Sequence, residues 1–167
     1  MKIHQGGSMR GRKQKREGFS LIEVVIGIAL VAIAVLGLAQ MFTLGIMNNL
    51  RSERIANASF LAQQQIDVMR NLTSDELTTL SAADGVDLNG DGNLDILKDE
   101  SLDINSDGKS DYRRITEVQA VSSGANVQFE VRVLVFSAEQ MAVSKDQLIL
   151  NPMNYHVQAR VNTVISR

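Results

Sequence analysis

The chain has 167 residues, 44% of them apolar and 22% charged, enough for one core and a long appendage but not for two cores. Its formal net charge of -2 conceals an asymmetry, because residues 1–18 hold six of the 17 basic residues against the single acid Glu17, and the other 149 residues carry a formal -7. An acidic body repels phosphates, so no nucleic-acid partner is expected, and the absence of cysteine excludes a disulfide framework or a thiolate metal site.

Residues 1–18, MKIHQGGSMRGRKQKREG, form a polar, basic leader without a periodic apolar face, and Met9 offers a second start before the Arg/Lys run. From Phe19 to Leu50 the text turns apolar, and no charge occurs between Val24 and Leu50. About 20 residues of helix span a bilayer, so Leu21 to Phe42 is long enough, and the basic run before it predicts that this end stays cytoplasmic. An ordinary secretory signal would be cut after its apolar stretch. Here that stretch continues without proline into RSERIANASFLAQQQIDVMRNL, residues 51–72. Ile55, Phe60, Leu61, Ile66, Met69 and Leu72 give this second half one broad apolar side. The reading is one helix of about 50 residues, with 19–50 for lipid and filament core and 51–72 amphipathic.

Thr73-Ser74-Asp75-Glu76 opens a short helix or turn over 73–83. A polar stretch, 84–111, follows, and then the period changes to two. Strands are predicted over Tyr112–Val121, Asn126–Ser137 and Tyr155–Ile165. Val127, Phe129, Val131, Val133 and Val135 share one face of the second strand, and Ser122-Ser123-Gly124 turns the first pair into a hairpin. The third strand places Tyr155, Val157, Ala159, Val161 and Ile165 on one side, with His156 facing outward. Residues 138–153, with the only proline, Pro152, read as a loop with a short helical turn. The expected class is α+β: a long amino-terminal helix packed on an antiparallel sheet of about three strands, with residues 73–167 as the head.

The sharpest motif is Gly18-Phe19-Ser20-Leu21-Ile22-Glu23, behind a basic run and ahead of the apolar helix. It resembles the processing site of the type IV pilin superfamily, which includes pilins, minor pilins and type II secretion pseudopilins. The stretch Phe60 to Arg70 also resembles the helix of minor pilins. The likeness implies that a membrane prepilin peptidase/N-methyltransferase cuts after Gly18 and methylates Phe19. It implies that Glu23 is the conserved acid of the helix, used in assembly. It further implies a single-pass protein of the bacterial inner membrane, held in lipid before assembly. Through an assembly platform it would then join other pilin subunits in an extracytoplasmic filament, a pilus or a periplasmic pseudopilus. The residues support this independently, since a carboxylate where a helix enters lipid is costly and calls for a partner. A new α-amino group, on the same chain four residues away or on an incoming subunit, is the obvious cation. The plainer alternative is a signal anchor with Glu23 at headgroup level.

Residues 87–95 and 103–111 both satisfy D-x-N-x-D-G-x-x-D and start 16 residues apart. Such spacing suits calcium: oxygen-bearing side chains on a tight loop, glycine at the sharp turn, and a carbonyl from the next residue. The candidate ligands are Asp87, Asn89, Asp91, Asn93 and Asp95 in the first loop, with Asp99 or Glu100 completing the shell. In the second they are Asp103, Asn105, Asp107, Lys109 and Asp111. Lys98 and Arg114 stand where an EF-hand would place its bidentate glutamate, and no flanking helices are expected. The pattern resembles instead the aspartate-rich loops of extracellular calcium modules, which implies one or two structural Ca2+ ions. Nine acids against Lys98 and Lys109 between Asp84 and Asp111 would repel one another without cations. The alternative is a solvated acidic loop rich in turn formers. His4 and His156 are the only histidines and no phosphate loop occurs, so nothing points to an enzyme.

Overall fold

The computed structural model describes residues 18–123 and 126–167, so the expected leader over 1–18, except Gly18, and the expected turn at Gly124 lie outside the described residues. The chain divides into two units, Met1–Ile46 and Met47–Arg167. In the first, the described residues are Gly18–Ser20 and the start of helix α1 (Leu21–Asn71), which opens where the Ser20 carbonyl accepts from Glu23 N (3.0 Å) and Val24 N (3.2 Å). Every side chain from Gly18 to Ala56 is exposed, and α1 is long and apolar enough to cross a membrane.

In the second unit, α1 buries Ala58, Leu61, Ala62, Gln65, Ile66 and Met69, a stripe of alternating three- and one-residue steps. The sequence reading put Ile55 and Phe60 on this face, but they are 42% and 65% exposed. Ala58 and Ala62, both fully buried, take their place in the stripe. Helix α2 (Ser74–Ala82) begins with a capping box: Thr73 Oγ1 accepts from Glu76 N, and Glu76 Oε2 accepts from Thr73 N (2.6 Å). Its Leu77 and Leu80 enter the core.

The sheet has four strands, not three, in the order β3 (Asp99–Leu102), β4 (Tyr112–Ser123), β5 (Asn126–Ser137), β6 (Ala159–Ser166), all antiparallel. Separately, β1 (Gly85–Val86) and β2 (Ile96–Leu97) pair as a two-stranded sheet. These additions come from the stretch that looked like pure loop. Strands of two to four residues show no alternation to read, yet Val86 and Ile96 flank the first aspartate-rich loop and are buried in the main core.

The sheet is also covered on both sides at one end. One face carries Phe129, Val131, Val133 and Val135 of β5 against α1 and α2, while Val127 is 40% exposed. The other face carries Ile115, Leu134 and Phe136 against Leu148 of α3 (Lys145–Leu150). The consecutive run Val133-Leu134-Val135-Phe136 is the mark of a strand buried on both faces. A 3-10 turn, Ala138–Gln140, precedes α3. The last strand starts at Ala159, four residues later than predicted. His156 sits in a turn at φ +52°, and its bend sends Tyr155 and Val157 to the second cluster while Ala159, Val161 and Ile165 join the first.

Candidate functional site

At the amino end Gly18 and Phe19 precede α1 in exposed chain without regular secondary structure, and Glu23 lies in its first turn. An acid there favours the positive end of the helix dipole. Cleavage after Gly18 would leave a new amino group two residues before the helix, close in sequence to that acid.

The two aspartate-rich loops are hairpin tips, one joining β1 to β2 and the other β3 to β4. Most of their internal bonds correspond position by position; the exception is the first aspartate's Oδ1, which accepts from Gly90 N (2.7 Å) in the first loop and from Asp107 N (3.3 Å) in the second. Gly92 N donates to Asp87 Oδ2 (2.8 Å), and Gly108 N to Asp103 Oδ2 (2.8 Å). Asn89 Oδ1 accepts from Asp91 N (2.9 Å), and Asn105 Oδ1 from Asp107 N (3.0 Å). Asp91 Oδ1 accepts from Asn93 N (2.8 Å), and Asp107 Oδ1 from Lys109 N (2.8 Å). Asp95 Oδ2 closes the first loop on Leu88 N (2.9 Å), as Asp111 Oδ2 closes the second on Ile104 N (3.0 Å). Gly92 and Gly108 adopt φ of +87° and +82°, and Gly90 (φ +76°) corresponds to Ser106 (φ +58°). The 16-residue repeat is therefore a repeat of structure.

These bonds shape the electrostatics. The Gly92 amide, first among several, holds the Asp87 carboxyl below the usual carboxylate range, and the Asn93 amide does the same for Asp91. Among the described residues no group of three or more histidine, cysteine or acidic side chains is gathered closely enough to hold a metal ion. The donor set nonetheless suits a hard cation, because each carboxylate oxygen has a second lone pair beyond the one given to an amide.

Asp99 and Glu100 do not reach the first loop. Asp99 accepts from Arg113 Nε (2.8 Å) and Nη2 (2.7 Å), and Glu100 is paired with Arg114. Arg113 also donates to the carbonyls of Gln140, Met141 and Val143, fastening the segment before α3 to the sheet. The Asp99 carboxylate raises its pKa further. Lys145 Nζ binds Asp84 Oδ1 (2.8 Å), lowering the Asp84 pKa, and Lys98 Nζ donates to the Ser81 carbonyl (3.2 Å). Sequence reasoning missed these cations, although two acids facing two arginines across a hairpin were there to be paired. A cleft of about 550 Å³ adjoins the second loop, with Glu53, Asn105, Asp111, Tyr112, Glu139 and His156 in its wall.

A comparison with protein families matches the prokaryotic N-terminal methylation motif to residues 13–39, a span that includes Gly18, Phe19, Glu23 and the start of the apolar helix. No curated protein and no solved structure matches the chain. The motif is the signal of the type IV pilin class, and the chain carries it ahead of a long apolar helix and an α+β head. The match, which spans 27 of the 167 residues, supports a type IV pilin-like or pseudopilin precursor. Its motif implies peptidase processing, membrane anchoring, assembly with other pilin subunits and a structural, non-enzymatic role.

Proposed function

We propose that the chain is a minor subunit of a type IV pilus or a related filament. It is cut between Gly18 and Phe19, methylated on Phe19 and assembled through α1, with Glu23 pairing the new amino terminus. The observation that carries this reading is the methylation motif at residues 13–39 placed directly on an exposed apolar helix. Before assembly the amino end faces the cytoplasm, as the basic run suggests, and α1 sits in lipid near the assembly platform. Coexpression with a prepilin peptidase is expected to remove residues 1–18 and leave methylated Phe19, read by intact mass and amino-terminal sequencing. A large residue at Gly18 is expected to block the cut. An intact leader in the mature membrane pool would refute the reading. A secretion pseudopilin shares each of these features, and identifying the partner machine by pull-down separates the two.

The head is proposed to use calcium as a structural ion. Asp87, Asn89, Asp91 and Asp95 would hold it in the first loop, with a carbonyl from Asn93. Asp103, Asn105, Asp107 and Asp111 would do so in the second, with a carbonyl from Lys109. Bound there, the ion supplies charge neutralisation to a segment of nine acids. The cleft beside the second loop favours one further reading, a tip subunit that binds a ligand through its head. Localisation and stoichiometry along the filament test it, because a tip subunit is scarce and found at the end.

A further inference from the structure

The sheet ends in two edges of different character. Strand β3 is four residues long and carries Asp99 and Glu100, which makes it a blunted edge. Strand β6 is eight residues long, pairs with β5 one-to-one from Ala159 to Ser166 with Gln158 N also donating to Val135 O (2.8 Å) just before it, and contains no proline and only one charge, Arg160. Among the described residues its outward side is open. Arg167 N donates to Val127 O (3.2 Å), which fixes the alternation. Odd residues of β6 therefore bond to β5, and the N–H and C=O of Arg160, Asn162, Val164 and Ser166 point away from the sheet. Among the described residues these groups find no partner, their side chains are all exposed, and Val164 is 62% exposed.

We infer that β6 is a docking edge for β6 of a second copy of the chain, in antiparallel pairing about a two-fold axis through Thr163. That register opposes Arg160 to Ser166 and Asn162 to Val164. All four outward residues become hydrogen-bonded pairs, so every free backbone donor and acceptor of both strands is used. No like charges face each other, which self-pairing of the acidic β3 edge would bring about. Eight residues of strand contact fall short of the roughly 1,200–2,000 Å² buried in stable complexes, so the pairing is reversible and concentration-dependent. It does not depend on the pilin assignment, since it concerns only the edge of the head.

Analytical ultracentrifugation of the full chain in detergent micelles, with residue-resolved amide exchange, tests this. A monomer–dimer equilibrium is expected, in which exchange at Arg160, Asn162, Val164 and Ser166 slows as protein concentration rises. Val164→Lys places a charge on the edge, and Asn162→Pro removes an outward N–H without costing a bond to β5. Each is expected to weaken the dimer about tenfold or more, equivalent to about 1.4 kcal/mol. A chain that stays monomeric up to millimolar concentration overturns the inference. So does a dimer that survives both substitutions with the four amides unprotected, which would assign self-association to the apolar helix.

Discussion

Replacing Arg113 with alanine removes the cation that ties the first residue of β3 to the segment leading into α3. The side chain of Arg113 is 10% exposed and that of Asp99 32%. The substitution strips Asp99 of two charge-assisted bonds, takes the Arg113 donor from the Met141 and Val143 carbonyls, and leaves the Gln140 carbonyl with only the Val143 N–H (3.2 Å). Breaking a buried pair from one side costs about 3–5 kcal/mol, because the remaining partner stays desolvated. Asp99 is open enough for water to reach it, which places the expected loss at the low end, about 3 kcal/mol. For a head of this size that corresponds to a fall in melting temperature on the order of 10 °C. Thermal unfolding of the full chain in micelles, followed by circular dichroism, measures the loss. Proteolysis near residues 138–144 reports whether that segment is released. Arg113→Lys keeps the charge but not the planar fork, and an intermediate loss is expected. A cost below about 1 kcal/mol for the alanine variant would mean that the pair behaves like an exposed salt bridge, and the reasoning would fail.

Glu23→Ala is expected to leave membrane insertion intact, since it removes a costly charge, and to reduce incorporation into filaments; normal incorporation would make Glu23 a headgroup-level residue. Gly92→Ala forces a side chain into the left-handed region and is expected to cost about 1–2 kcal/mol, whereas Gly90→Ser should be milder, because Ser106 already occupies the equivalent position. Comparative melts of the two variants check the order. The folded-state pKa values of Asp87 and Asp91 lie below the unfolded ones, so their amide bonds contribute stability above the ordinary carboxylate range. That contribution is lost as pH falls through the lowered values, and proteolysis of residues 84–111 as a function of pH should show it. Calcium is expected to protect the same segment at neutral pH, with a dissociation constant of about 10⁻⁴–10⁻³ M in titration calorimetry. No heat and unchanged cleavage up to millimolar calcium would return it to an acidic loop.

What could be read from the sequence depended on how each feature is encoded. The long helix, the β4–β5 hairpin and the processing site rest on patterns of ten or more residues or on tightly spaced motifs, and the structure has the helix at Leu21–Asn71 and the hairpin in register. Short elements failed for want of period, as with Gly85–Val86 and Ile96–Leu97. Bulk misled the reading of α1, because Phe60 is large and exposed while Ala58 and Ala62 are small and fully buried. The last strand lost its first four residues to a single left-handed backbone at His156, a conformation uncommon for any non-glycine residue even though histidine is among those that adopt it more often. Asp99 was misassigned because sequence proximity favoured the loop, whereas hairpin geometry put Arg113 within reach of it.

The duplicated hairpin serves as its own control. Asp, Asn, Asp, Gly and Asp are shared by the two copies at equivalent positions, and all five have atoms in the bonds that shape the loop. Where the copies differ, as at Gly90/Ser106, Asn93/Lys109 and Leu94/Ser110, the shaping bonds use at most the backbone N–H. Folding alone therefore accounts for the shared residues without any ion, and sequence similarity between the copies cannot be counted twice as support for metal. The charge is different. Nine acids crowd a short segment, whereas an Asx-type loop would be served as well by asparagine at several of those positions. Asp91→Asn and Asp107→Asn separate the two demands. Each keeps an oxygen to accept from the next-but-one amide, so the apo fold should survive. Each removes a negative charge, so calcium protection of its own hairpin should weaken and that of the other should not. If both variants keep full calcium protection, the acids serve the loop alone.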